Sequence, residues 1–310
     1  MSSILYKSTL KPRQVIEPYK YFAEGNEYLY EQDGRITHFD ERIRLIYYIG
    51  NIINPYQKET TKEVDFEEIF KKTLIRDCED TEKDIKTLKR LSDHHPIIIG
   101  GCGRSGTTLL LSVLASHSKI FGIDTELYSF YPVFRPKKII NFLSDNKFPS
   151  NKIWCEKTPK NIINFNKIYN KLNKNVHLIH IVRDGRDVVT SEHPYHPNQY
   201  WVSKERWASD VTAGLECENC LLIKYEDLVT KTKETLKTVC DYCSLEFEPK
   251  MLDFQKFSNV RENVAWKYGK PVKIHPNRVQ KWKKKQYTDI INSFNEDAEC
   301  VNLLKKLKYE

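Results

Sequence analysis

The sequence predicts an α/β fold, a parallel β-sheet flanked by helices with a phosphate-loop turn after its first strand, and a helical N-terminal extension. Three observations carry this. Five short apolar runs, "IIIG", "KIFGI", "KIWCE", "VHLIHIV" and "CLLIKY", are each followed by a stretch with helical texture, and strands spaced by helices imply βαβ crossovers and a parallel sheet. A glycine-rich turn, "GGCGRSGTT", stands between the first run and the helix-like "TTLLLSVLASH". The texture also changes near Pro96: residues 1 to about 94 hold no glycine-rich loop and show helical periodicity in "DERIRLIYYIGNII" and "DFEEIFKKTLIRD".

The chain is read as residues 1–94, a helical extension that either stands apart or packs on the core, and residues 95–310, the α/β domain. At 310 residues it is long enough to bury a substantial core. Its 50 Lys+Arg against 42 Asp+Glu give a net charge of +8, which favours anionic partners. No apolar run approaches the ~20 residues of a membrane span, and the first residues, "MSSILYKSTLKPRQ", show no hydrophobic leader. Cytoplasmic location is expected, and the eight cysteines read as thiols in a reducing compartment.

In the glycine-rich turn, Gly101, four residues and Gly106 reproduce the spacing of a nucleotide phosphate loop, with Thr107 where lysine is usual and Thr108 at the hydroxyl position. Backbone N–H groups of the loop and the helix N-terminus converge on an anion in such a turn. Without the lysine the cation that reaches β- and γ-phosphates is missing. A nucleotide with a less charged terminal group fits better, and Arg104 places a different cation inside the loop.

A second anchor stands in "VHLIHIVRDGRDVVTS": a strand ending in Arg183, a turn, and Ser191 eight residues after Arg183. Ligands of open α/β sheets bind at this carboxyl edge, and the forked guanidinium suits phosphate. A strand-end Arg183 paired with Asp184 or Asp187 is the structural alternative. Apolar residues followed by Asp184 also mimic a magnesium-binding strand, which keeps a kinase or nucleoside triphosphatase open.

These segments resemble sulfotransferases that use 3′-phosphoadenosine 5′-phosphosulfate, in the branch that includes tyrosylprotein sulfotransferases and similar bacterial enzymes. The resemblance rests on "GCGRSGTTLL", "HIVRDGRDVVTS", "KIWCEKTPKN" and "CLLIKYEDLV", in chain order over residues of about 96 to 285. It implies that Gly103, Arg104, Ser105, Gly106, Thr107 and Thr108 hold the 5′-phosphosulfate. Arg183 and Ser191 would hold the 3′-phosphate, with Tyr225 and Lys281, in "NRVQKWKKKQY", as further contacts. Lys157, before Thr158-Pro159, would face the transferring group with Arg104 beside it. The general base, a carboxylate after the second strand in "HSKIFGIDTELYSF", falls on Glu126 by an ungapped count from His117, or on Asp124 after a one-residue deletion.

The implied reaction is in-line transfer of a sulfuryl group to a hydroxyl acceptor without metal. Residues 1–94 lie outside the resemblance and are candidates for acceptor specificity or a homodimer contact. A basic nucleic-acid-binding module through "KWKKK" is the non-enzymatic alternative, and it lacks the aromatic platforms such modules use. Cys217-x-x-Cys220 and Cys240-x-x-Cys243 have zinc-like spacing, although a strand and a helix separate them and Cys240 falls on that helix's apolar face. "HPYHP" at residues 193–197 reads as an ordinary proline-rich turn, with a loop bordering the acceptor pocket as the alternative.

Overall fold

The structure, a computed structural model, describes residues 82–91, 95–131, 134–192, 200–260 and 273–310. Most of the expected N-terminal extension and the "HPYHP" turn lie outside the described residues. Asp84–Tyr131 with Arg135–Glu310 form one compact unit.

The five apolar runs are the five strands: β1 (Ile97–Gly100), β2 (Ile120–Gly122), β3 (Ile153–Lys157), β4 (His177–Val182) and β5 (Cys220–Lys224). They form one sheet in the order β2-β3-β1-β4-β5, and every pairing is parallel. Central β1 is apolar throughout because both of its faces are covered, and Ile97, Ile98 and Ile99 are fully buried. The chain leaves β1 for β2 and β3 on one side, then crosses to β4 and β5 on the other. Strand order therefore reverses at β1, and the carboxyl edge there is where a ligand crevice opens.

Helices supply the connections: α1 over 82–90, α2 (Thr107–Leu114), α3 (Lys137–Asp145), α4 (Phe165–Lys171), α5 (Gly185–Val189), α6 (Lys204–Leu215), α7 (Tyr225–Thr230) and α8 (Thr232–Tyr242), then α9 (Phe254–Phe257), α10 (Thr288–Asn295) and α11 (Ala298–Lys306). One apolar cluster joins α2 to β1 and to the β5–α8 region through Leu110, Leu114, Ile179, Leu228, Leu236 and Met251. A second joins the loop residue Cys102 to α5, α6, α10 and α11 through Val188, Trp207, Phe294 and Leu304. Among the described residues no helix is long and apolar enough to cross a membrane.

Trp207 links this second core to the nucleotide end of the sheet. Its ring is fully buried against Phe294, and its indole N–H donates to the Arg183 carbonyl at 3.1 Å. Truncating it removes a large buried ring and a satisfied hydrogen bond together. Trp207→Ala is expected to lose about 3–5 kcal/mol of stability, measured by urea unfolding; a loss below about 1 kcal/mol would show that Trp207 does not hold this core.

Candidate active site

The glycine-rich turn wraps over the carboxyl end of β1, and its backbone has little freedom. Gly101 has φ 152°, and a Cβ there would collide with the Ile181 carbonyl oxygen. Gly106 has φ 93°, with the Tyr225 ring 2.5 Å from the position of a Cβ. Arg104, between them, is left-handed at φ 68° without being glycine. Such a conformation costs on the order of 1–3 kcal/mol and persists where its surroundings fix it. The fixing bonds are Ser105 N–H to the Cys102 carbonyl at 3.2 Å and Arg183 Nη1 to the Arg104 carbonyl at 3.1 Å.

Helix α2 starts directly from this turn, with Gly106 as N-cap and no side chain capping it. The first-turn N–H groups, those of Thr107 and Thr108 included, therefore face the loop. Ser105 Oγ, Arg104 Nε and Arg183 Nε are buried without hydrogen-bond partners. Polar atoms held this way are expensive unless a partner arrives. The set of N–H groups, hydroxyls and guanidiniums is suited to an anion.

Arg183 stands at the end of β4, buried, with its guanidinium 4.5 Å from the Tyr225 ring centroid. Its Nη2 donates to the Arg278 carbonyl at 2.5 Å and lies 3.5 Å from an Asp187 oxygen. Asp187 in turn accepts from the N–H groups of Gln280 at 2.9 Å and Trp282 at 3.0 Å, so one carboxylate docks the late basic segment against β4. Burial lowers the Arg104 pKa to about 10, and the positive charges of Arg278 and Arg183 add to the effect. A bound anion would reverse that.

Ser191 is tied to the segment that carries Asp187. Its hydroxyl is buried and donates to the Asp187 carbonyl at 2.7 Å. Lys281 Nζ lies 5.2 Å from the Tyr287 ring centroid. Arg278, three residues earlier, is the cation whose field reaches Arg104. Asp184 is fully engaged as well: it caps α5 by accepting from the Arg186 N–H and takes a two-pronged ion pair from the Arg186 guanidinium, at 3.0 and 2.8 Å.

Lys157 ends β3 with its side chain buried, and its ammonium donates to Glu126. Glu126 also accepts from the Tyr128 hydroxyl at 3.1 Å and remains about 30% exposed, so it faces solvent on one side. Asp124 is exposed. The structure thus brings Glu126 and Lys157 together and leaves Asp124 on the surface. Next to them, fully buried Glu156 accepts from Thr158 Oγ1 and Asn161 Nδ2, both at 2.5 Å. Burial pushes its pKa up to about 7 against those two hydrogen bonds.

A cluster that the sequence reading did not contain lies beneath the loop. Asp210 on α6 is fully buried and accepts from Lys160 Nζ at 2.8 Å and Arg206 Nε at 3.4 Å. Burial and the nearby negative charge of Asp210 push the thiol of Cys102, inside the loop, far up. Arg206 Nη2 lies 3.4 Å from the Cβ position of Gly103. One carboxylate therefore joins the loop, the turn after Lys157 and α6. The (i, i+4) pair Arg206/Asp210 was a visible signal; Lys160, in the short 3₁₀ helix Pro159–Asn164, and Arg278, in a turn, show no periodicity and gave none.

The four paired cysteines do not gather: Cys240 Sγ packs 3.8 Å from Met251 Sδ, and among the described residues no three His, Cys, Asp or Glu side chains form a metal-ligating group.

The family model described as "Sulfotransferase family" matches residues 96–141 and 137–249. No curated protein matches the sequence. Among solved structures, the sulfotransferase domain of the olefin synthase from Synechococcus PCC 7002 is similar, with 17% identity, a TM-score of 0.50, and coverage of 70% of this chain and 96% of that one. Mouse sulfotransferase SULT7A1, solved in complex with PAP, shares 16% identity over 73% of this chain and 94% of that one, with a TM-score of 0.45. The first of these likenesses shows the fold.

Glu156 gives the site a pH signature. Its folded pKa of about 7 exceeds the ordinary 4.5, so between those values the folded chain holds a proton that the unfolded chain has released. The Glu156 contribution to stability then falls as pH rises from about 4.5 to about 7. Urea unfolding at both ends of this window is expected to show the wild type losing stability relative to Glu156→Gln as pH rises. The same pH dependence in both proteins would remove Glu156 as a contributor.

Proposed function

The chain belongs to the sulfotransferase family and is a sulfotransferase, and from that premise we propose which residues carry the transfer. The observation that supports the assignment best is the anion cradle without a lysine: a strained Arg104, a partnerless buried Ser105 hydroxyl and two partnerless guanidinium Nε atoms around one uncapped helix start. These residues fit the 5′-phosphosulfate and 3′-phosphate of 3′-phosphoadenosine 5′-phosphosulfate. Backbone N–H groups from Gly103 to Thr108, with the hydroxyls of Ser105, Thr107 and Thr108, hold the first group. Arg183 and Arg278 hold the second, with Tyr225 stacked beneath Arg183. Ser191 serves there by fixing the Asp187 segment, and Lys281 belongs to the rim.

Bound in this cradle, the donor supplies a sulfuryl group whose sulfur–oxygen bond to phosphate breaks as the acceptor oxygen bonds to sulfur. Glu126 takes the acceptor's proton. It is paired with Lys157 and about 30% exposed, within reach of an acceptor from solvent. Lys157 stabilises the electron pair left on the phosphate oxygen, and Arg104 adds positive charge from the loop side. Buried Asp210 holds Lys160, just after Lys157, and Arg206, which packs against Gly103 of the loop, and so positions the loop relative to Lys157. The acceptor is a hydroxyl compound. Residues 1–94 form the extension that selects it or makes a homodimer contact, and the location is cytoplasmic, in keeping with free cysteines.

A kinase or triphosphatase reading needs an acid free to hold magnesium, and Asp184 is committed to Arg186 and to the α5 N-terminus.

Transfer of radiolabelled sulfate from the donor into a cell extract tests the assignment. Glu126→Gln is expected to lower the rate about 10²–10⁴-fold and Lys157→Met about 10²–10³-fold, each with donor binding retained, whereas Asp124→Asn stays near wild type. A full rate in Glu126→Gln together with a large loss in Asp124→Asn would move the base to Asp124.

A further inference from the structure

We propose that Cys217 and Cys220 form a reversible dithiol–disulfide site, oxidised by a small peroxide, at the amino edge of the sheet, the edge opposite the phosphate loop. The Cys217-Glu218-Asn219-Cys220 turn joins α6 to β5, and β5 starts at Cys220, paired with Leu178. A four-residue turn holds its end Cα atoms within about 7 Å, and a disulfide requires roughly 4.4–6.8 Å.

The turn is fixed from three sides. Cys217 N–H donates to the Gly214 carbonyl at 3.3 Å, the Cys220 thiol donates to the Cys217 carbonyl at 3.3 Å, and the Tyr242 hydroxyl donates to the Asn219 carbonyl at 3.3 Å. The Cys220 side chain is thus folded back over Cys217. Cys220 is half-buried, Cys217 lies buried beneath it, and Glu218 and Asn219 at the corner are exposed.

Cys217 differs from the other described cysteines. The neighbouring Cys220 side chain brings the Cys217 pKa down to about 7, and the same contact, with burial, raises that of Cys220. Burial raises the thiols of Cys240 to about 11 and Cys300 to about 12, and raises Cys102, Cys155 and Cys243 further from the reactive range. The thiolate is the nucleophile in cysteine chemistry, so reaction is confined to the turn.

The Cys217 thiolate attacks one peroxide oxygen, the O–O bond breaks and hydroxide leaves, giving a sulfenic acid on Cys217. The Cys220 thiol then attacks that sulfur, the S–O bond breaks, and water leaves with the Cys220 proton. Two thiols lose two electrons, and one hydrogen peroxide becomes two waters. A dithiol reductant restores the pair by exchange.

The full chain, treated with hydrogen peroxide, alkylated and digested with trypsin without reduction, tests this. Peptide 207–224 contains both cysteines and no other. It is expected to appear unalkylated and lighter by two hydrogens, to revert with dithiothreitol, and to form with a rate that rises through a midpoint near pH 7. In Cys220→Ser, dimedone is expected to label Cys217. Recovery of peptide 207–224 with both cysteines alkylated after peroxide, a midpoint near the ordinary thiol value of about 8.5, or absence of the dimedone adduct would each overturn the proposal. None of these readouts depends on sulfuryl transfer.

Discussion

The constraint on which the rest of this structure depends is the gathering of guanidinium groups around one loop with fewer carboxylates than cations. Arg183 and Arg278 both act on Arg104, which is itself held left-handed in the loop. Like charges at short range repel, most strongly where water is excluded. The fold tolerates this because backbone carbonyls and one acid share the load: Arg104 and Arg278 offer their carbonyls to Arg183, and Asp187 stands 3.5 Å from it. A site arranged in this way is stabilised by an anion and is otherwise held together at a cost.

The loop is positioned from below by the same logic with opposite sign. Asp210 is the buried acid that ties Lys160 to Arg206, and through them the strand end carrying Lys157 to the phosphate cradle. Removing one partner of such a buried network leaves charges uncompensated, which is why these positions and the reacting residues are energetically coupled. Glu126 differs from them: it is partly exposed, as a base must be to meet an acceptor that arrives from solvent.

The sheet was legible in the sequence because buried parallel strands are short apolar runs, and each of the five runs became a strand. The loop was legible because only glycine fits at Gly101 and Gly106, where the chain turns against Ile181 and Tyr225. Glu126 was reached by counting, and its contact with Lys157 could not be, since 31 residues separate them and only the parallel pairing of β2 with β3 brings their strand ends together. Arg278 and Lys160 were illegible for a related reason. Turns and single 3₁₀ turns carry no apolar period, so the sequence pattern does not mark which of their cations comes near a site.

The central claim is that a phosphate cradle without its lysine, ringed by Arg104, Arg183 and Arg278, holds a bisphosphorylated adenosine and not a triphosphate. Thermal unfolding of the full chain with adenosine 3′,5′-bisphosphate in the absence of magnesium tests it most directly. At 100 times the dissociation constant the gain is about 2.7 kcal/mol, read as a rise in melting temperature that Arg183→Gln reduces. Stabilisation by ATP that requires magnesium, with no response to the bisphosphate, would contradict the account.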